Sequence, residues 1–117
     1  MALHFESYEE SVDWVKVAVI DVKALKIITK YELGDKAGEP GGLGLDVKNH
    51  ILFAMCANPG VCVVLDADKG TVLATLPIGN GTDGGGFNPN TMEAFSSKRN
   101  GTLTIIKENS PTSFAVE

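Results

Sequence analysis

Histidine and cysteine are scarce in this chain of 117 residues, which contains two of each. His4 and His50 lie far apart in sequence and lack the spacing of metal ligands, so we expect no metal site. No apolar run approaches the roughly 20 residues of a membrane-spanning helix. No cofactor-binding motif is present either, and we therefore expect no cofactor and no membrane span.

Basic residues are also few. Ten Lys and Arg against 15 Asp and Glu give a formal net charge of −5 at pH 7, which disfavours nucleic acid as a partner. Lys98, Arg99 and Lys107 are too few for a phosphate-binding stripe. The first residues, MALHFESYEES, show no basic end followed by an apolar stretch, so no signal peptide is visible.

A repeat organises what is present. Residues 17–34 (VAVIDVKALKIITKYELG) align without a gap with residues 62–79 (CVVLDADKGTVLATLPIG) at an offset of 45. Residues 42–46 match 84–88 at an offset of 42, and 60–65 match 101–106 at an offset of 41. Such a period is typical of four-stranded propeller blades. Helical HEAT repeats share it, but the Val/Ile/Thr runs and glycine turns indicate strands.

The repeat predicts an all-β fold, a partial β-propeller of four-stranded antiparallel meanders in one domain. Its blade-like units would cover approximately residues 1–34, 42–79 and 84–117, with the leading strand of the first blade missing. A two-sheet sandwich is the alternative, but its strands rarely recur in register at this period. We expect about eleven strands, at residues 2–7, 14–21, 27–33, 43–47, 51–56, 61–65, 72–76, 85–87, 93–97, 102–107 and 113–116. Residues 8–13 are acidic and predict a loop.

Three segments carry a resemblance to a known family: VAVID at 17–21, VVLDADKGTVLATLPIG at 63–79 and DGGGFNPNTMEAFSS at 83–97. They resemble the YVTN-type (YncE-like) seven-bladed β-propeller repeat, which is WD40-like in its blades. The resemblance implies a periplasmic or secreted protein, although this chain shows no signal peptide. It implies no shared catalytic motif, and a ring of that family would need more than twice this length.

Two classes of function follow from a partial propeller. The first is a non-catalytic scaffold or binding module for a protein or small-molecule partner. The second is a sector of a propeller enzyme, similar to quinone-dependent oxidoreductases or hydrolases. We favour binding, because Ser96 and Ser97 have no nearby His and Asp that would mark a nucleophile.

Self-association is expected as well, since an open array of blades leaves an apolar face at each end. Two copies would supply 22 strands, about five and a half blades, and three copies 33, about eight. We slightly prefer a dimer that closes, or nearly closes, a ring.

Glycines mark the innermost strands and are the candidate channel-lining residues: Gly42, Gly44, Gly84, Gly85 and Gly86. Small residues let neighbouring backbones approach each other at the centre of a propeller. Steric fit alone is the favoured interpretation, and the alternative is that their amides line a ligand-binding funnel.

The remaining candidates have structural interpretations. Cys56 and Cys62 lie on adjacent predicted strands, where register decides whether they could bond; we predict buried, reduced thiols. Asp21 and Asp66 recur at equivalent turns, and Asp68 lies in the same turn as Asp66. The three residues therefore predict turn formation rather than acid–base or calcium chemistry. Three aromatic residues should pack between blades: Trp14, Phe87 and Phe95.

Overall fold

The computed structural model describes residues 2–6, 16–21, 26–33 and 37–117. Within these ranges the chain forms eleven strands. They are β1 (Ala2–Glu6), β2 (Lys16–Asp21), β3 (Lys26–Glu32), β4 (Pro40–Asp46), β5 (Ile51–Cys56), β6 (Val61–Asp66), β7 (Val72–Pro77), β8 (Thr82–Asn88), β9 (Glu93–Lys98), β10 (Leu103–Ser110) and β11 (Ser113–Val116).

The strands form three antiparallel meanders in chain order. Sheet 1 contains β1 to β3, sheet 2 contains β4 to β7, and sheet 3 contains β8 to β11. The repeat pairs β2 and β3 with β6 and β7, so sheet 1 corresponds to the second, third and fourth strands of a blade. The predicted all-β fold of four-stranded meanders, with a shorter first unit, is confirmed, and three sheets rule out the two-sheet sandwich.

The glycine-rich strands begin earlier than the sequence pattern predicted. β4 starts at Pro40 and β8 at Thr82, whereas the sequence predicted strands that start at residues 43 and 85. Each strand pairs with its neighbour through an irregularity, between Pro40 and Gly42 on β4 and between Thr82 and Gly84 on β8. Glycine and proline are depleted in strands, and a bulge is one of the places where they occur.

The middle of sheet 2 is buried on both faces, as the inner strand β5 shows. Every residue of β5 is buried, and successive side chains point to opposite faces. Phe53 and Met55 belong to an apolar cluster with Ala94 and Ile106 of sheet 3. The alternate residues of sheet 2 pack in a second cluster that includes Leu33, next to sheet 1. The core is therefore two apolar layers, one on each side of sheet 2.

Candidate functional site

The predicted channel-lining glycines lie on two neighbouring strands. A Cβ atom added to Gly42 would come within 2.6 Å of the Gly85 backbone nitrogen, and one added to Gly44 within 2.8 Å of the Gly86 carbonyl oxygen. Real Cβ atoms do not approach backbone this closely. Strands β4 and β8 can therefore lie this near to each other only because β4 carries glycine at both positions.

The glycines of β8 leave room for side chains. A Cβ atom on Gly85 would meet the Met55 Sδ at 2.5 Å, and one on Gly86 would meet the Phe95 ring at 2.8 Å. At Gly84 the nearest atom is the Ser97 Oγ at 3.1 Å. Steric fit accounts for these positions, as expected from sequence, and the lining of a channel stays a prediction.

One face of sheet 3 is uncovered in the described part of the chain. Ala94 of β9 and Ile106 of β10 point to sheet 2. Because successive side chains of a strand alternate between the two faces, the residues next to them on each strand point away from sheet 2. Cross-strand pairs join Phe95 to Ile105 and Ser97 to Leu103. Phe95 is 37% exposed and Leu103 is 55% exposed. We call this surface the open face; it contains Glu93, Phe95, Ser97, Leu103, Ile105 and Lys107.

The open face has a covered counterpart on sheet 2. There, Phe53 pairs with Val64 and Met55 pairs with Cys62, in the same register as the pairs on sheet 3. Each of these four side chains has no exposed area, because sheet 3 packs on them. Phe53 stacks on Phe87 of β8 with ring centroids 5.5 Å apart. Phe87 therefore packs between sheets as predicted.

Phe95 departs from that prediction, because no described residue of a following sheet covers it. Trp14, the third aromatic residue assigned to packing between blades, lies outside the described residues, as does the acidic segment 8–13.

Charged side chains border the open face. Glu93 pairs across the strands with Lys107, whose ammonium group donates to the Thr91 carbonyl oxygen. A hydrogen bond with Glu93 raises the pKa of the Glu117 carboxyl above its usual value. The open face therefore has an apolar centre and a polar margin, a composition typical of protein interfaces.

A polar cluster occupies the interface between sheets 2 and 3. The hydroxyl groups of Thr82 and Ser96 are 2.7 Å apart, and the Lys98 ammonium donates to the Ser96 Oγ at 3.4 Å. Burial lowers the pKa of Lys98. Ser96 itself has no exposed area, so its hydroxyl group faces protein rather than a substrate. This buried lysine could not be predicted from the sequence, since Lys is rarely buried.

The turn aspartates have separate roles. The Asp66 Oδ1 accepts from the backbone amides of Asp68 and Lys69 at 2.8 and 3.1 Å, which confirms Asp66 as a turn former. The Asp68 carboxylate lies 2.9 Å from the His50 Nδ1 at an exposed position. This hydrogen bond raises the pKa of His50. For Asp21 the structure describes only the backbone, at the end of β2.

The two cysteines are free and buried. Cys62 pairs with Met55 across the strands, so these two side chains share a face of sheet 2. Cys56 follows Met55 in β5 and therefore points to the opposite face. Register therefore separates the two thiols, and the predicted reduced state is the one in the structure. Burial raises the pKa of both thiols, which disfavours the reactive thiolate.

Within residues 2–6, 16–21, 26–33 and 37–117, no three His, Cys, Asp or Glu side chains are grouped as ligands for a metal ion. No helix in that part of the chain has the length and apolar character needed to cross a membrane.

Comparison with known proteins identifies the architecture. The structure is similar to the crystal structure of the β-propeller domain of Myceliophteria thermophila Cps50 (Swd1), with a TM-score of 0.66 and 12% sequence identity. The match covers 97% of this chain and 34% of that one. The chain folds as a partial β-propeller.

At this identity the likeness concerns the fold alone. This partial propeller spans about a third of the length of the solved chain it matches. No protein-family model matches its sequence, and no curated protein does.

Proposed function

We propose that this chain is a non-catalytic propeller scaffold that binds other protein surfaces, in the first place a second copy of itself, through the open face of sheet 3. The observation that carries the proposal is the exposure of Phe95 and Leu103 on sheet 3. The equivalent residues of sheet 2, Phe53 and Cys62, are buried. A blade that carries an apolar centre on this face is built to pack against another blade.

The interface between sheets 2 and 3 shows how such a contact would be packed. It surrounds Phe53 with Phe87, stacked at 5.5 Å, and with Phe114, edge-on at 5.9 Å. Phe95 lies at the equivalent place one blade further on. A sheet from a second copy that contacts Phe95 in the same way would continue the array of blades in the same sense.

The strand count limits how many copies could close a ring. Two chains of eleven strands would provide about five and a half four-stranded blades, and three chains about eight. We propose a dimer that closes or nearly closes a ring, with sheet 1 of one copy near the open face of the other.

The blades are proposed to be of the YVTN type. Supporting this assignment, the sequence contains neither of the Gly-His and Trp-Asp dipeptides that mark WD40 blades, and it keeps the VVLDADKGTVLATLPIG pattern at residues 63–79. The inner edges of β4 and β8, with Gly42, Gly44, Gly84, Gly85 and Gly86, are proposed to border the centre of the ring, where their backbone groups could contact a small ligand.

Sedimentation velocity at micromolar concentration tests self-association. Leu103→Asp places a charge at the most exposed apolar residue of the open face, and we expect it to shift the protein from a dimer to a monomer. Val47→Asp is the matched control, because Val47 is 74% exposed but lies in the turn between β4 and β5; it should leave the dimer intact. A wild-type monomer, or equal dimer fractions in both variants, would contradict the proposal.

A further inference from the structure

Two carboxyl groups meet inside the interface between sheets 2 and 3. Asp46, at the end of β4, is 1% exposed, and Glu108 of β10 is 2% exposed. The Asn49 side-chain amide donates to both, to the Asp46 Oδ2 at 2.9 Å and to the Glu108 Oε2 at 3.1 Å. We call Asp46 and Glu108 the acid pair.

Both carboxyl oxygens of Asp46 have hydrogen-bond partners, but only one of those of Glu108 does. The Asp46 Oδ1 accepts from the backbone amides of Lys48 and Asn49 at 3.1 and 3.3 Å. The Glu108 Oε1 is buried and has no hydrogen-bond partner among the described residues. Ionised carboxylates only accept hydrogen bonds, whereas a protonated carboxyl group also donates. A proton on Glu108 would therefore let the two acids bond to each other.

The surroundings of Glu108 offer no positive charge among the described residues. Its backbone amide donates to the Met92 carbonyl oxygen, and Phe114 is its cross-strand neighbour on β11. The groups that act on its carboxyl are Asp46 and Asn49. Lys107, the adjacent residue in the strand, belongs to the open face on the other side of the sheet, and His50 pairs with Asp68 at the surface.

The physical chemistry of the two acids is asymmetric. Burial, and then the nearby Asp46 carboxylate, raise the pKa of Glu108 to about 7. Burial alone would raise the pKa of Asp46, but hydrogen bonds with Glu108, Asn49 and the backbone amide of Lys48 lower it. Below a pH of about 7, Glu108 thus keeps one proton, while Asp46 holds the single negative charge.

The repeat shows that this pair is particular to one interface. The position of Asp46 is occupied in sheet 3 by Asn88, and the position of Glu108 is occupied in sheet 2 by Ala67. At the interface with sheet 1, Ala67 packs at the edge of an apolar cluster. A blade of this fold therefore does not require the acid pair.

We propose that the acid pair is a pH-sensitive contact between sheets 2 and 3, in which one shared proton holds the two sheets together. Loss of that proton places two like charges in a buried site and weakens the interface. The proposal does not depend on the function of the open face.

The sign of the pH dependence follows from linkage. The raised pKa means that folded Glu108 keeps a proton which the unfolded chain releases near its usual value of about 4.3. The contribution of Glu108 to the free energy of unfolding is therefore fully present below a pH of about 4.3. It is lost as the pH rises towards the folded pKa of about 7. One retained proton changes the unfolding constant by up to about tenfold per pH unit.

Urea unfolding between pH 5 and pH 9 tests the proposal, in the Leu103→Asp background so that association does not contribute. With Asp46 and Glu108 unchanged, we expect the free energy of unfolding to fall from pH 5 to about pH 7 and then to level off. Glu108→Gln keeps the shape of the side chain and should remove most of this slope, whereas the exposed control Glu39→Gln should retain it. His50 also titrates in this range, but all these variants keep it, so the difference isolates Glu108.

Carboxyl-carbon NMR of the unmutated acid pair provides a second readout if Glu108→Gln fails to fold. One glutamate should titrate with a midpoint near 7, and the Asn49 side-chain amide signal should move with it. Equal slopes for Glu108→Gln and Glu39→Gln, or a Glu108 midpoint below about 5, would overturn the proposal.

Discussion

Phe53 and Phe95 occupy the same place in two successive blades, and their surroundings differ completely. Each is the central residue of a second strand and pairs with a β-branched residue of the third, Val64 or Ile105. Phe53 has no exposed area and Phe95 is 37% exposed. The blade pattern determines which face a side chain takes, and the next sheet determines whether that side chain contributes to stability.

The largest expected effect comes from truncating the covered member of this pair. Phe53→Ala would remove a ring that contacts Phe87 and Phe114 and leave a cavity between sheets 2 and 3. We expect a loss of about 3–5 kcal/mol in the free energy of unfolding, measured by urea denaturation at a concentration where the chain is monomeric.

Phe95→Ala is the matched control for this substitution. Because the Phe95 side chain is 37% exposed, we expect the monomer to lose about 1–2 kcal/mol, part of the value for burying a whole Phe side chain and less than at Phe53. Equal losses at the two positions would contradict the difference in burial between Phe53 and Phe95.

A second comparison separates two glycines of the inner strands. Gly42→Ala would bring a Cβ atom within 2.6 Å of the Gly85 backbone nitrogen, while Gly84→Ala would approach only the Ser97 Oγ, at 3.1 Å. Backbone cannot yield as a side-chain hydroxyl can. We expect Gly42→Ala to cost about 1–3 kcal/mol and Gly84→Ala less than half of that, by thermal denaturation. Equal costs would show that β4 and β8 are not so close.

A smaller effect should appear at the other interface of sheet 2. The Tyr31 hydroxyl group lies 3.0 Å from the Ala67 carbonyl oxygen and 2.9 Å from that of Asp68, so it joins sheet 1 to a turn of sheet 2. Tyr31→Phe should cost about 1 kcal/mol, the usual net value of one hydrogen bond. A stability equal to that of the wild type in urea denaturation would argue that this contact does not form in solution.

The smallest expected change concerns the thiols. Cys56 and Cys62 are both fully buried on opposite faces of sheet 2, so neither should react with a thiol reagent in the folded protein faster than the protein unfolds. In denaturant without reductant, two free thiols per chain should be counted. A count of zero would require a disulfide that the register of β5 and β6 does not permit.

Much of the fold could be predicted because it is repeated. Residues 51–56 and 113–116 form strands with the predicted bounds, and the offsets near 42 identified which strands are equivalent. The starts of β4 and β8 could not be predicted, since Pro40 and Thr82 open strands that contain irregular pairing. The Gly and Pro content of these segments disfavours a strand. They become strands because they pair with β5 and β9.

The polar contacts were beyond sequence reasoning for a different reason. Asp46 and Glu108 belong to different blades and to no motif, and their pairing depends on how sheet 3 sits on sheet 2. Lys98 was considered only as one of a few basic residues, yet it is buried and donates to the Ser96 Oγ. Such contacts are set by packing at a distance, which a period of 42 residues does not encode.

The subunit count of the unmodified protein tests the central claim most directly. Native mass spectrometry at micromolar concentration, from a volatile buffer near neutral pH, resolves one chain, two chains and any bound small molecule in the same spectrum. We expect a dominant species with twice the mass of the chain, because the open face of sheet 3 is equivalent to the face of sheet 2 that sheet 3 covers. A folded species with the mass of a single chain, and none larger, would contradict the account.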